Sequence, residues 1–230
     1  MSAVEVLAGV DIVALRLSEE GTLQVLLLRR QREPYAGQWA LPGVLVNGRC
    51  ADASLDAAAA RALADKARLQ PQYLEQVATV GNGLRDPRGW SLSTCYLALL
   101  ASDAEPQDEH LRFVELAGVI AGEQALPFDH TQLVRLAAER LRGKSVYSSL
   151  PLYLLAPRFT VTDALTAFQG CLGEPVQHTT LRGRLERMKA QGWISDTGEK
   201  NYPKMGRPQN LLAHSPHAGE AFIFDRSLLA

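Results

Sequence analysis

Trp39-Ala40-Leu41-Pro42-Gly43, then a loop, then Asp52-Ala53-Ser54-Leu55 and an alanine-rich stretch closing on Arg61-Ala62-Leu63-Ala64-Asp65-Lys66-Ala67-Arg68-Leu69: this span decides the first half of the chain. Alanine costs no side-chain entropy in a helix, and the Asp and Ser just ahead are N-cap types, so a helix is expected through Leu69. Working outward, Val4–Leu17 and Thr22–Arg30 are aliphatic and β-branched and flank Ser18-Glu19-Glu20-Gly21, which reads as a hairpin. Pro34–Pro42 reads as a loop. Gln76–Gly81, Leu92–Ala101 and Leu111–Leu116 have strand character, while His130–Arg142 repeats Leu133, Leu136, Ala137 and Leu141 at helical spacing. Strands and helices therefore mix in an α+β pattern.

From Ser145 the pattern changes to helices followed by a small basic β-region, which puts the joint at Gly143-Lys144 and the domains at 1–143 and 144–230. Val146–Leu155 is a helix candidate ended by Pro157. Thr160 or Thr162 can cap a second helix through Leu172, stopped by Gly173 and Pro175. Thr179 or Thr180 can cap a third, running through Leu181, Leu185 and Met188 to Gly192. Trp193–Ser195 and Gln209–Ala213 then read as two strands around a loop carrying Lys200, Lys204 and Arg207.

With 230 residues, 47% of them hydrophobic, the chain can bury a substantial core. It contains no uncharged apolar run long enough to cross a bilayer, and its start lacks the basic-then-apolar pattern of a leader, so no membrane association and a cytoplasmic location are expected. Cys50, Cys95 and Cys171 have no C-x-x-C spacing and read as ordinary thiols. Charge is unevenly divided: residues 1–143 hold 14 basic and 18 acidic side chains (net −4), residues 144–230 hold 10 and 7 (net +3). Between His178 and Arg207 the count is 7 basic to 3 acidic. That asymmetry suits either a phosphate backbone or a solvated helix face.

The segment from Trp39 to Gly43 with the helix at Arg61–Leu69 resembles the Nudix box, whose helix gathers carboxylates to hold Mg²⁺ against a diphosphate. Arg61, Leu63 and Leu69 match. The acidic positions hold Ala62, Asp65 and Lys66, the glycine is Arg68, and the loop from Gly43 does not keep the strict spacing. One carboxylate stands where three are wanted, and Lys66 beside it repels a cation by about 1 kcal/mol or more. Asp52 and Asp56 are expected to serve the helix dipole, and Asp65 to pair with Arg61 or Arg68. The expectation is a silent Nudix-like domain with neither catalytic residues nor a metal.

Arg85-Asp86-Pro87-Arg88-Gly89, ahead of the strand from Trp90, resembles the substrate loop of Nudix proteins that handle ADP-ribose-like dinucleotides. Arg85 and Arg88 can place planar donors on a diphosphate, and Asp86 can orient an arginine or accept from a ribose hydroxyl. Read alone, the same residues make an Asp-capped turn with exposed arginines. Trp39 or Trp90 can stack on an adenine, or belong to the core. His130 either borders the nucleotide pocket or caps its helix locally.

Taken with Leu126-Pro127-Phe128-Asp129-His130, the Tyr147-to-Phe159 connection and Gly206-Arg207-Pro208, the chain resembles from about Gly9 to His214 the Nudix-related transcriptional regulators of NAD metabolism, the NrtR family. The resemblance implies a Nudix-like mixed-sheet α/β/α sandwich followed by a winged helix-turn-helix domain. It implies a repressor of NAD-biosynthesis or salvage genes, dimeric on a palindromic DNA operator and released by ADP-ribose or a related nucleotide such as NAD⁺, with no cofactor required. On that reading Thr179, Thr180 and Arg182 approach base edges, while Arg184, Arg187, Lys189, Lys204 and Arg207 are candidates for backbone or wing contacts. His178 is expected at the surface or as a cap. Two other readings stay open: an active ADP-ribose or sugar-nucleotide pyrophosphatase with unusual metal ligands, and a nucleotide-binding adaptor whose second domain binds protein.

Overall fold

The computed structural model describes residues 6–49, 52–202 and 207–215. The chain divides into two compact units, the first ending at Arg140 and the second beginning at Leu141, with the turns Leu17–Thr22 and Ala101–Asp103 grouped with the second.

In the first unit the strands are β1 (Leu7–Leu17), β2 (Leu23–Arg29), β3 (Trp39–Ala40), β4 (Gly43–Leu45), β5 (Tyr73–Asn82), β6 (Ser91–Leu99) and β7 (Leu111–Glu115). They form one seven-stranded sheet with the path β3-β2-β1-β6-β5, β4 adding to β1 and β7 to β2. The sheet is mixed: β1 and β6 run parallel, Asp11 beside Cys95, and the other pairs are antiparallel. Helix α1 (Leu55–Ala67) covers one face, where Ala58, Ala59, Ala62 and Leu63 pack with Val10, Ile12 and Ala14 of β1. Val13 and Leu15, on the alternate side of β1, are buried as well. On β6 the Cys95 thiol reaches the Leu133 carbonyl at 3.9 Å, which brings α3 (His130–Ser145) onto the sheet. Two covered faces make the α/β/α sandwich.

Helix α1 is capped by Ser54, whose hydroxyl accepts from the Ala57 amide. It ends on Arg68 at φ 54, a left-handed residue whose amide donates to Ala64. Leu116–Ala121 forms a short helix, α2, closed by Gly122. The expected strand there stops at Glu115.

The helix end expected at Arg142 is corrected, because α3 continues through Gly143 and Lys144 to Ser145, the division between the units falling just ahead of Gly143. A helical glycine costs only about 0.5–1 kcal/mol, too little to end a helix packed along its length. The helix expected over Val146–Leu155 is corrected too. Only a 3-10 turn forms, at Leu150–Leu154, because Pro151 has no amide to donate and its ring blocks a continuing α-helix. The Ser145 and Ser148 hydroxyls meanwhile donate to the Leu141 and Lys144 carbonyls.

The second unit goes on with β8 (Arg158–Phe159), α4 (Val161–Leu172), α5 (His178–Ala190), β9 (Ile194–Asn201) and β10 (Gln209–His214). Thr160 caps α4 in a reciprocal box with Asp163, and Gly173 at φ 70 ends it. For α5 the expected cap at Thr179 or Thr180 is corrected to Gln177, which makes no side-chain capping bond. The two threonines lie in the first helical turn with exposed side chains. The three strands pair as β8-β10-β9, so a helix-turn-helix is followed by a β-hairpin wing. Phe159, Phe168, Leu181, Leu185, Met188 and Leu212 make its core.

Candidate functional site

The first unit holds a cleft of about 510 Å³ lined in part by Asp11, Arg30, Gly43, Arg85, Arg88 and His130. Its floor is set by Asp11. A carboxylate inside the apolar run of β1 must find partners, and Asp11 accepts from the Ser93 hydroxyl at 2.6 Å and from Arg85 at 3.4 Å. Gly43 stands opposite in the β1–β4 pairing. A Cβ at Gly43 would collide with the Asp11 carboxylate and lie 2.8 Å from the Val10 carbonyl oxygen, so only glycine lets β4 approach.

Arg85 reaches this floor and is consumed there. Its Nε and Nη2 donate to the two oxygens of Asp129 at 2.9 and 2.8 Å, and its side chain is 7% exposed. Burial works against the charge, and the hydrogen bonds and charge of Asp129 outweigh it, so the guanidinium pKa is raised. His130, 3% exposed, accepts the Leu41 amide on Nδ1 at 3.0 Å. Its proton therefore sits on Nε2, which faces Asp11 at 3.6 Å. Burial lowers the His130 pKa despite the nearby carboxylates, so the ring is neutral and reads as a positioned residue of the cleft wall.

At the lip, Asp86 is the orienter of Arg88. One Asp86 oxygen accepts the Arg88 amide and Nε at 2.9 and 3.0 Å, and the other accepts Nη2 at 2.7 Å. The Arg88 side chain is 43% exposed, aimed by a carboxylate that is itself 5% exposed. The Asp86 pKa is lowered chiefly by that arginine.

The stacking role expected of Trp39 is corrected: its ring packs with the Arg112 guanidinium at 4.1 Å and is not among the lining residues. Trp90 is 46% exposed and likewise outside the lining. The aromatic of the cleft is Phe128, which meets Tyr35 edge-on at 4.8 Å and His130 at 5.1 Å. Both Tyr35 and Phe128 hold positive φ, 66° and 58°. Non-glycine residues in that region carry about 1–3 kcal/mol of strain and gather where ligands are clamped.

On the Nudix-like helix, Asp65 is 59% exposed and 3.9 Å from Arg61. Asp52 does not serve the helix dipole; it receives Nε and Nη2 of Arg61, both at 2.7 Å, and the Asn47 amide at 2.6 Å. Those hydrogen bonds hold the Asp52 pKa down to about 2. Asp56 accepts from the Tyr96 hydroxyl at 2.6 Å. Among the described residues no group of three or more His, Cys, Asp or Glu side chains is arranged to hold a metal ion.

In the second unit, Thr179, Thr180, Arg182 and Arg187 are exposed along α5, His178 begins it, and Arg207 is exposed ahead of β10. Lys204 lies outside the described residues. The contact role expected of Arg184 is corrected: it is 8% exposed, donates to the Ser145 and Ser148 carbonyls at 3.1 and 2.9 Å, and stacks over Phe168 at 4.5 Å. Lys189 is tied to Glu186 and Asp196 at 3.2 and 3.0 Å. The face that remains can offer hydroxyls and a guanidinium to base edges. Among the described residues no helix is long and apolar enough to cross a membrane.

Sequence reasoning missed Asp11, Arg30 and Asp129. The signal for Asp11 was present, a lone carboxylate inside a strand that is otherwise apolar.

No family model matches the chain. Over 185 residues it is 37% identical to the ADPR responsive transcriptional repressor NtrR of Acinetobacter baylyi, covering 79% of this chain and 72% of that protein. The crystal structure of Shewanella oneidensis NrtR complexed with a 27mer DNA superposes with a TM-score of 0.84 at 36% identity, over 94% of this chain and 96% of that one. The Nudix domain of the Shewanella protein, complexed with ADP ribose, matches 60% of this chain and 90% of its own length at 39% identity and a TM-score of 0.54.

Proposed function

This chain belongs to the NrtR family of Nudix-related transcriptional regulators, and from that membership we propose that it is a DNA-binding repressor of NAD-biosynthesis or salvage genes, released from its operator by ADP-ribose. NAD⁺, which shares the adenosine diphosphate, is the competing effector. The observation that carries this reading is the match along nearly the whole chain to a protein solved on DNA, joined to exposed Thr179, Thr180 and Arg182 on α5. Residues 1–143 would do the sensing and 144–230 the DNA binding, in a cytoplasmic homodimer on a palindromic site.

Arg88, oriented by Asp86, is the lip cation for the effector, and Arg85 with His130 shapes the floor. Hydrolysis is not expected. Asp65 is a single exposed carboxylate, and Arg61 is engaged by Asp52. Arg182, Thr179 and Thr180 would read bases, while Arg207 and Lys204 would meet phosphates.

The test is fluorescence anisotropy of the full chain on its own upstream DNA at about 0.15 M salt, with and without ADP-ribose. Preference for that DNA over random duplex, weakened by ADP-ribose, supports the reading. No preference would transfer the protein to the adaptor class. Turnover of ADP-ribose with Mg²⁺ at roughly 1 s⁻¹ or above, abolished by Asp65→Ala, would make it an enzyme.

A further inference from the structure

Four of the arginines lining the cleft can be compared by what already satisfies them. Arg85 is bidentate on Asp129, and Arg88 is bidentate on Asp86. Arg29, exposed, gives Nε to the Gly37 carbonyl at 3.2 Å. Arg30 differs from all three. It is half-buried, gives Nε to the Pro34 carbonyl at 2.8 Å and Nη2 to the Arg32 carbonyl at 3.4 Å, and lies over the Phe128 ring at 4.9 Å. Among the described residues no carboxylate is within ion-pair distance of it.

We propose that Arg30 and Arg88 together form the anion-binding pair of this cleft and take the diphosphate of a nucleotide effector, Arg85 being withheld by its own carboxylates. This rests on the nucleotide-sensing reading above and names the residues that would carry it.

A half-buried cation without a directly paired carboxylate is incompletely compensated, and guanidinium does not escape by losing its proton at any ordinary pH. Burial first, and the like charge of Arg88 second, lower the Arg30 pKa although Asp11, Asp86 and Glu33 act at longer range to raise it, and none of those carboxylates closes on the Arg30 fork as an ion pair. A diphosphate supplies one. Two carbonyls and an aromatic face hold the Arg30 fork in place before any ligand arrives, so little side-chain entropy remains to be lost on binding. The Phe128 ring beneath it is itself braced edge-on by Tyr35, and both residues hold the left-handed backbone that marks strained ligand clamps. Arg88 brings the second fork from the lip, already aimed by Asp86.

The test is calorimetric titration of ADP-ribose, and separately of inorganic pyrophosphate, into the full chain as wild type, Arg30→Gln, Arg30→Lys and Arg88→Gln, with thermal melts of each. Arg30→Gln is expected to weaken both ligands about tenfold or more. Arg30→Lys should recover only part, because a point charge replaces a fork. Equal affinity in wild type and a folded Arg30→Gln overturns the proposal, as does a lowered melting temperature with affinity intact. If Arg30→Gln does not fold, Arg30→Lys decides, and unchanged binding in it overturns the pair. Wild type that binds pyrophosphate but not ADP-ribose removes the effector reading, while the pyrophosphate loss in Arg30→Gln still decides on the site. Wild type that binds neither ends both.

Discussion

Arg61 grips Asp52 with two nitrogens, Nε on one carboxylate oxygen and Nη2 on the other, each at 2.7 Å. The pair ties the middle of α1 to the loop ahead of it, because Asp52 also takes the Asn47 amide and Arg61 also reaches the Leu45 carbonyl. Arginine and aspartate thus do structural work on a helix whose Nudix relatives use carboxylates for metal.

The first prediction concerns acid. The folded Asp52 pKa lies at about 2, below the roughly 3.9 of an unfolded aspartate. Its contribution is therefore complete above about pH 4 and lost as pH falls from there toward 2. Thermal melts should show Asp52→Asn less stable than wild type at pH 7, with the gap closing below pH 4. A gap independent of pH would mean that the charge is not what holds the loop.

Arg68 occupies the place of the Nudix-box glycine and holds φ 54 as the C-cap of α1. Glycine adopts that conformation without a Cβ penalty, so Arg68→Gly should stabilise the protein by about 0.5–1 kcal/mol in urea titration. A loss of stability would show that the Arg68 side chain makes a contribution larger than its backbone strain.

Arg182 and Arg184 are two residues apart and should behave as opposites. Arg184→Ala strips the donor from two buried carbonyls and the packing from Phe168, and should cost about 2–4 kcal/mol of stability. Arg182→Ala, at an exposed position, should change stability by no more than about 0.5 kcal/mol. It should relax base preference at one operator position by roughly 1–3 kcal/mol, measured by competition among duplexes.

Arg85 and Arg88 should also part company. Arg85→Ala leaves Asp129 and Asp11 without their cation in the cleft floor and should destabilise by about 2–3 kcal/mol, discounted for the partial exposure of both carboxylates. Arg88→Ala also strips the cation from a buried carboxylate, Asp86, which keeps the residue-88 amide, so it should lower the melting temperature as well, but it alone should weaken ADP-ribose directly, by about 1.5–3 kcal/mol. Calorimetry and melting on the same samples separate the two.

Much of this was legible in the chain. The alanine-rich helix, the opening hairpin, the strands after Pro71 and the Thr160 cap follow from local propensity and capping chemistry, which act over a few residues. What was missed depends on distance in sequence. Strands β3, β4 and β8 are two or three residues long and exist because a neighbouring strand offers hydrogen bonds, which no local pattern records. Of the two roles the sequence offers Asp86, orienting an arginine or accepting from a ribose hydroxyl, the structure shows the first, whose partner is two residues away. The partner of Arg85 is 44 residues away, that of Leu41 is 89, and neither spacing signals a pair. Arg184 looked like its exposed neighbours since burial depends on where Ser145, Ser148 and Phe168 arrive. Gly143 resembles a break in the sequence and stays helical inside α3.

The interior placement of Arg184 bears on how genetics of this protein would be read. A selection for loss of repression would return lesions at 182 and at 184 side by side, both charge losses on one helix, and both would pass for damaged operator contacts. Only the first would survive as a folded, DNA-blind molecule able, in the homodimer proposed above, to poison mixed dimers and so behave as dominant. The second would be cleared as misfolded chain, behave as recessive, and recover at low temperature. Dominance and temperature sensitivity, scored in cells without purifying anything, would thus report which arginine faces outward.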